Sequence, residues 1–296
     1  MPFAWGLFMS LVLAGVGSIN LDLVASDAPL PRPGETVMGA AFTQIPGGKG
    51  ANQVLAGARL GAKAVMVGCV GEDILADQAL SLLQEAEVSL SYVQHIKGIA
   101  TGVALISVSP EGENQITVAS GANLHLADIE AKALADCDAV LCQLEIPVDA
   151  IMTALALAPE KAMFAVNLAP ALEVPEALLQ AADLLIVNEI EAAFYGDQLH
   201  TCSGLVAVTL GERGAVLYRA GEEIARVPAF RVDVVDTTGA GDTFCAGLVV
   251  GLGEGKLPQE ALRFASAAAA LAVTKAGAQT SIPSRAAVEA FLKAQA

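Results

Sequence analysis

The chain is poor in charge and poorer still in aromatic rings. Charged residues make up 16% of its 296 positions and aromatics 4%, with a single tryptophan. A core without rings is filled by Ala, Val and Leu, which suits helices packed on a parallel sheet. Basic residues are scarce: 16 Lys and Arg stand against 32 Asp and Glu, a formal net charge of −16. That balance disfavours nucleic acid and anionic membrane as partners, and a nucleotide site would need its own local donors. None of the five cysteines, Cys69, Cys137, Cys142, Cys202 and Cys245, sits in a C-x-x-C pair, and most lie in apolar runs. Buried free thiols in a reducing, cytoplasmic compartment are expected. His95, His125 and His200 are scattered and no H-E-x-x-H occurs, which argues against zinc.

Charge is missing altogether from residues 1–21. A signal peptide needs a basic start, which is absent, and Gly15, Gly17, Ser18 and Asn20 interrupt any membrane span. Leu11–Gly15 reads instead as a buried first strand. Residues 1–8 read as an N-terminal extension, with Met9 an alternative start. Hydrophobic residues, at 54%, suffice for one large α/β unit over residues 9–296.

Periodicity orders that unit. Ala51, Val54, Leu55 and Ala58 share a helical face that Gly61 ends, and Ala76, Ala79, Leu80 and Leu83 share another over 74–86. Residues 65–69, 139–144, 162–166, 184–187 and 205–209 are short apolar runs with strand character. Their alternation with helical stretches predicts a doubly wound, mainly parallel sheet flanked by helices. Two segments break the rhythm. Residues 22–46 carry Pro29, Pro31, Pro33 and Gly34 without a helical period, and 100–120 hold two β segments around Pro110–Glu113. Together they predict a small antiparallel subdomain serving as a lid. Several strands end in a polar residue: Glu145, Asn167, Asn188 and Thr209. One such residue would be a helix cap; four suggest a polar cleft along the carboxyl edge of the sheet.

Five segments hold candidate chemistry. In Asp236–Phe244 (DTTGAGDTF), expected to follow a strand Arg231–Val235, Gly239 and Gly241 permit a sharp turn into a helix. The N–H groups of Gly239, Ala240 and Gly241 would form an anion hole, and Asp242 could accept a proton from an attacking hydroxyl. A glycine-rich N-cap with a first-turn Asp is the plain alternative. Gly47–Asn52 (GGKGAN) also opens a helix, but Gly50 after Lys49 rules out a Walker A loop; Lys49 and Asn52 suit a hydroxyl-rich ligand, or the segment is merely a flexible loop. Gly15–Asp22 lacks the third glycine of a dinucleotide fingerprint, since Asn20 stands there. Asn20 and Asp22, two apart, face one way in extended chain and could bind vicinal hydroxyls, or form a turn. Asn188 and Glu191 could approach a metal–phosphate group or cap a helix. Thr209–Gly214 could border a nucleotide or turn a hairpin.

In order and spacing these segments, with PRPGETV, TGVALI, EGENQI, QLE and AVTKAGAQTSIP, resemble the ribokinase (PfkB-type) family of carbohydrate kinases over roughly residues 11–295. The resemblance implies an ATP-dependent kinase, with ribose the expected acceptor and another furanose or a nucleoside the alternative. It implies that Asn20, Asp22, Gly48, Lys49, Asn52 and Glu145 hold the sugar and that Asp242 is the base beside Gly241. Asn188, Glu191, Thr209, Gly211 and Gly214 would hold ATP and Mg2+, with Ser266 at the adenine. Asp236, Thr238, Ala272, Lys275, Gly277 and Ser281 would surround K+. It also implies a homodimer through the lids. One departure stands out: only 20 residues separate Asn188 from Thr209, so the crossover helix is expected to be truncated around Gly196–Gly204. A non-catalytic sugar- or nucleotide-binding protein is the rival of another class. Retention of Asp242, Lys49 and Asn188 argues against it.

Overall fold

The computed structural model describes residues 11–295; the expected extension at 1–8 and the alternative start at Met9 lie outside them. The first half runs Val12–Val16 (β1), Asn20–Ser26 (β2), Ala41–Gly47 (β3), Lys49–Arg59 (α1), Lys63–Gly71 (β4), Ile74–Glu85 (α2), Ser89–Ile96 (β5), Gly102–Val108 (β6) and Asn114–Ala119 (β7). The second half runs Ala139–Gln143 (β8), Val148–Leu157 (α3), Met163–Asn167 (β9), Glu176–Ala181 (α4), Leu184–Asn188 (β10), Glu189–Tyr195 (α5), Leu205–Thr209 (β11), Ala215–Arg219 (β12) and Glu222–Val227 (β13). Three helices follow: Ala240–Gly253 (α6), Pro258–Ala272 (α7) and Arg285–Ala294 (α8).

Nine strands form one sheet in the order β13-β12-β11-β10-β9-β8-β1-β4-β5. Pairing is parallel from β5 to β11. A hairpin of β12 and β13 extends that edge antiparallel. Alternate strand residues face opposite layers. Leu13, Leu141, Ala165 and Ile186 pack with Phe244 and Leu248 of α6 and Leu262 of α7. Ala14, Val140, Cys142 and Leu185 pack with Ile151 of α3 and Leu178 of α4 on the other side. With both faces covered, these strands have to be apolar throughout, which is why they stood out in the sequence. All five cysteines are buried and free. No helix among the described residues is long and apolar enough to cross a membrane.

The chain leaves β1 outward to β4 and β5, then returns to β8 on the opposite flank of β1. This reversal opens a crevice outside the carboxyl ends of β1 and β8. Beside it lies the second sheet, β3-β2-β6-β7. The expected antiparallel subdomain is in fact mixed. β2–β3 and β6–β7 are antiparallel, but β2 and β6 run parallel. Each of those two enters directly from a strand of the main sheet, β1 and β5, so they share a direction.

One further expectation changes. Arg231–Val235 is not a strand: β13 already occupies the sheet edge, and Val234 and Val235 stay exposed. The segment is instead hung on the loop after α7, with Val235 N–H donating to Val273 O at 2.8 Å. The truncated crossover is visible as the seven-residue α5, closed by a 3-10 turn over Gly196–Thr201.

Candidate active site

The site grows from the ends of β1 and β8 and the start of α1. Gly48, at φ +87°, lets the chain pass so close to β2 that a Cβ there would lie 2.8 Å from Asn20 N. Ser18 Oγ donates to Glu145 Oε2 at 2.6 Å, and Lys49 N–H donates to the same oxygen at 3.0 Å. The Glu145 carboxylate thus sits on the N-terminus of α1, where the helix dipole favours it. Asn20 is buried and its Oδ1 accepts from Asn123 Nδ2 at 2.7 Å. Asn123 is itself locked, accepting Ile19 N–H at 2.8 Å. Asp22, one pleat further, lies where any side chain at Gly47 would strike its carboxylate.

Asp242 is buried in the first turn of α6. Both its oxygens are held from α1: Asn52 Nδ2 donates to Oδ2 at 2.8 Å and Gln53 Nε2 to Oδ1 at 2.9 Å. Burial pushes the Asp242 carboxyl up, against the pull of Lys49 and the two amides. Lys49 is raised chiefly by Asp242, with burial opposing and Glu145 and Glu191 adding to the rise. Burial, then Glu145 and Asp242, raises Asp22 to about 7. The carboxylates of Asp242, Glu145 and Glu191 therefore share the Lys49 ammonium. Asn52 Oδ1 is buried without a partner among the described residues, a free acceptor at the centre of the group.

The helix start is built as an anion hole needs. Gly239 caps α6 in the left-handed region, at φ +75°. Of the three predicted amides, Ala240 N–H turns back to Thr237 O at 3.3 Å; those of Gly239 and Gly241 pair with nothing among the described residues. A Cβ at Gly241 would meet no atom within 4 Å, so the space beside this residue is open. A buried carboxylate beside unpaired helix amides can take a proton while an anion is held next to it.

Asn188 and Thr209 end neighbouring strands in register. Asn188 and Glu191 form a full capping box: Asn188 N–H donates to Glu191 Oε2 at 2.7 Å, and Glu191 N–H to Asn188 Oδ1 at 2.9 Å. Gly211 and Gly214 flank a single 3-10 turn, both at positive φ, and Arg213 in it pairs with Glu189. The nucleotide candidates thus line the carboxyl edge of β10 and β11, in a hairpin as well as near the cleft. Ser266 lies apart on α7, its buried Oγ unpartnered among the described residues.

Asp236 staples two loops together. Its Oδ1 accepts Thr238 N–H at 2.9 Å and Thr238 Oγ at 2.6 Å, and its Oδ2 accepts Gly277 N–H at 2.8 Å. Despite burial, these bonds hold its carboxyl below the usual range. Lys275 N–H folds back on Ala272 O at 3.2 Å, and Ser281, buried, donates to Ala278 O at 3.1 Å. Ala278 in turn abuts Gly239, whose Cβ would come within 2.9 Å of its Cα. No group of three or more His, Cys, Asp or Glu side chains among the described residues could hold a metal. An ion here would rest mainly on carbonyl and hydroxyl oxygens.

Sequence reasoning missed Ser18, Gln53, Asn123 and Gln143. Gln143 was legible as a polar residue ending an apolar strand. Gln53 is hidden by periodicity, because it adjoins Asn52 on the face turned to the sheet rather than on the expected apolar stripe.

Residues 12–285 match the profile of the pfkB family of carbohydrate kinases. The chain belongs to that family. The ribokinase of Bacillus subtilis is 38% identical over 94% of this chain and 98% of its own. A deoxyribokinase of Salmonella typhi is 33% identical over 92% and 95%. Among solved structures, Arabidopsis thaliana ribokinase complexed with ribose and ATP superposes with a TM-score of 0.88, at 33% identity, covering 96% of this chain and 99% of the other. The unpaired start of α6 and the buried Asp242 therefore belong to a chain of the pfkB carbohydrate kinase family.

Proposed function

We propose that this pfkB family kinase transfers the γ-phosphoryl group of ATP to the 5-hydroxyl of D-ribose, giving ribose 5-phosphate and ADP. The observation that carries the reading is Asp242, buried at an unpaired helix start with both oxygens fixed from α1. Asp242 takes the hydroxyl proton as the oxygen attacks phosphorus in line; the amides of Gly239 and Gly241 bind the charge on the phosphoryl group in flight. Asn20, Asp22, Gly48, Lys49, Asn52 and Glu145 hold the sugar, and the free Oδ1 of Asn52 takes one of its hydroxyls. Asn188, Glu191, Thr209, Gly211, Gly214 and Ser266 hold the nucleotide.

Magnesium supplies charge neutralisation to the phosphates when bound. Glu191 has one oxygen left after capping, which fits an ion carried mainly by phosphate and water. The stapled loops at Asp236–Thr238 and Ala272–Ser281 fit K+, whose occupancy would fix the start of α6 through the Gly239–Ala278 contact. The small sheet closes the crevice as a lid over residues 22–46 and 100–120, and pairs with a second copy. The free buried thiols support a cytoplasmic setting.

Steady-state kinetics with ribose, 2-deoxyribose and fructose at saturating ATP test the acceptor. A site built to bond a hydroxyl penalises its absence, because its buried groups are left unpaired. Ribose should lead in kcat/KM by at least ~10-fold, equivalent to about 1.4 kcal/mol. A lead for 2-deoxyribose or a nucleoside overturns ribose as acceptor and leaves the family activity.

A further inference from the structure

Behind Asp242 lies a chain of buried amides that the proposed chemistry leaves unused. Gln53 and Gln143 are fully buried, and Asn167 nearly so. Gln143 Nε2 donates to Gln53 Oε1 at 2.7 Å. Gln53 Nε2 then donates twice, to Asp242 Oδ1 at 2.9 Å and to Asn167 Oδ1 at 3.1 Å. Asn167 Nδ2 ends the chain on Ile186 O at 3.1 Å. Its direction is dictated from both ends. A main-chain carbonyl and an ionised carboxylate only accept, so Asn167 must turn its nitrogen to Ile186 and Gln53 must turn its nitrogen to Asp242. Gln53 Oε1 is then left as an acceptor, and Gln143 meets it. Gly17 leaves room for Gln143, since any side chain there would strike its Oε1, which has no partner among the described residues.

Resting on the assignment of Asp242 as the base, we propose that Gln53 is a positioning residue for that carboxylate. Its amide, oriented by Gln143, fixes the plane of the Asp242 carboxylate and favours the ionised form that can accept a proton. Three elements, α1, β8 and β9, thereby hold one group on α6. Both donors of Gln53 end on protein, so none remains for the sugar; Asn52 on the neighbouring position supplies that contact. The role of Gln53 is therefore separable from sugar binding.

The charged and titratable groups around Asp242 are Lys49 from α1, Glu145 after β8, Asp22 from β2 and Cys245 on α6. All stay in place in the following variants. Gln53→Met keeps the length of the side chain and removes both donors. A carboxylate that loses a hydrogen bond to its charged form binds its proton more tightly. The acid limb of kcat/KM against pH should move up by about one pH unit, and activity on that limb should fall about 10-fold, with the sugar KM within about threefold of wild type. Gln143→Leu removes only the orienting donor and should shift the limb the same way by about half as much; it decides the matter if Gln53→Met does not fold. A merely structural role would lower thermal stability and leave the limb in place.

Asp242→Asn, run alongside, separates the two ideas. If it retains more than a tenth of wild-type turnover, the base assignment fails. If it is inactive and the acid limb stays within 0.2 unit, on the order of the fitting error, in every folded variant, Gln53 does not position Asp242 and the base assignment survives.

Discussion

β8 and β7 are strands of similar length in opposite settings. Every residue of Ala139–Gln143 is buried, and every residue of Asn114–Ala119 is exposed. The main sheet has helices on both faces, so its apolar residues are covered by its own chain. The small sheet has no such cover: Phe42, Leu105, Ile116 and Val118 are between 49% and 64% exposed. Covered, the first holds a carboxylate rigidly; uncovered, the second is suited to move and to meet another copy. Within one chain one sheet is covered by its own helices and the other leaves apolar side chains open, and the crevice lies where they join.

The largest effect should come from the rigid side. Asp242→Asn should fold and bind sugar yet lose ~10²–10⁴-fold in turnover, measured by coupled assay at saturating substrates. Retention of a tenth of wild-type activity would break the assignment.

Next comes a direct test of the contrast. Leu141→Ala, in the main sheet, should cost about 2–5 kcal/mol in denaturant unfolding. Ile116→Ala, in the small sheet, should cost under ~1 kcal/mol at protein concentrations where only monomer is present. Equal costs would mean that the small sheet is as well covered as the large one.

Ile116→Asp sharpens the same contrast by placing charge on the uncovered face. The dissociation constant of the proposed dimer should rise at least ~100-fold, read by sedimentation. A wild-type protein that is monomeric at micromolar concentration removes the dimer altogether.

The smallest effect concerns pH. Asp22, raised to about 7 in the folded chain from its ordinary 3.8, binds its proton more tightly folded than unfolded. Its contribution to stability is complete below the unfolded value and is lost as pH rises through the folded one. Thermal stability should therefore decline between about pH 4 and 7, and Asp22→Asn should flatten that decline by a few degrees in Tm. An unchanged slope would mean that Asp22 is not so confined.

Most of this architecture was legible because it rests on local rules. Strands buried on both faces are apolar runs, and Gly61, Gly239 and Asn188 mark helix ends. What escaped depended on distant partners. Arg231–Val235 has strand-like residues, but the hairpin Ala215–Val227 claims the sheet edge first. The parallel pairing of β2 with β6 follows from where β1 and β5 end, which no local pattern encodes. In the site, Asn20, Lys49, Asn52 and Asp242 were found because they flank glycines at element ends. Gln53 and Asn123 were not, since a buried amide on a helix or turn announces nothing until its partner is known.

The bonds from α1 to Asp242 close over 190 and 189 positions of chain. At ~5–20 residues per second, a ribosome takes roughly 10–40 s to make that stretch. Lys49 and Asn52 of α1 emerge early, but Asp242 does not join them until most of the chain has been made. Contacts of such separation also form late in folding, because loop closure has to precede them. With Asp242 as the proposed base, a nascent or truncated chain lacks the proton acceptor, and phosphoryl transfer would begin only when synthesis is nearly finished.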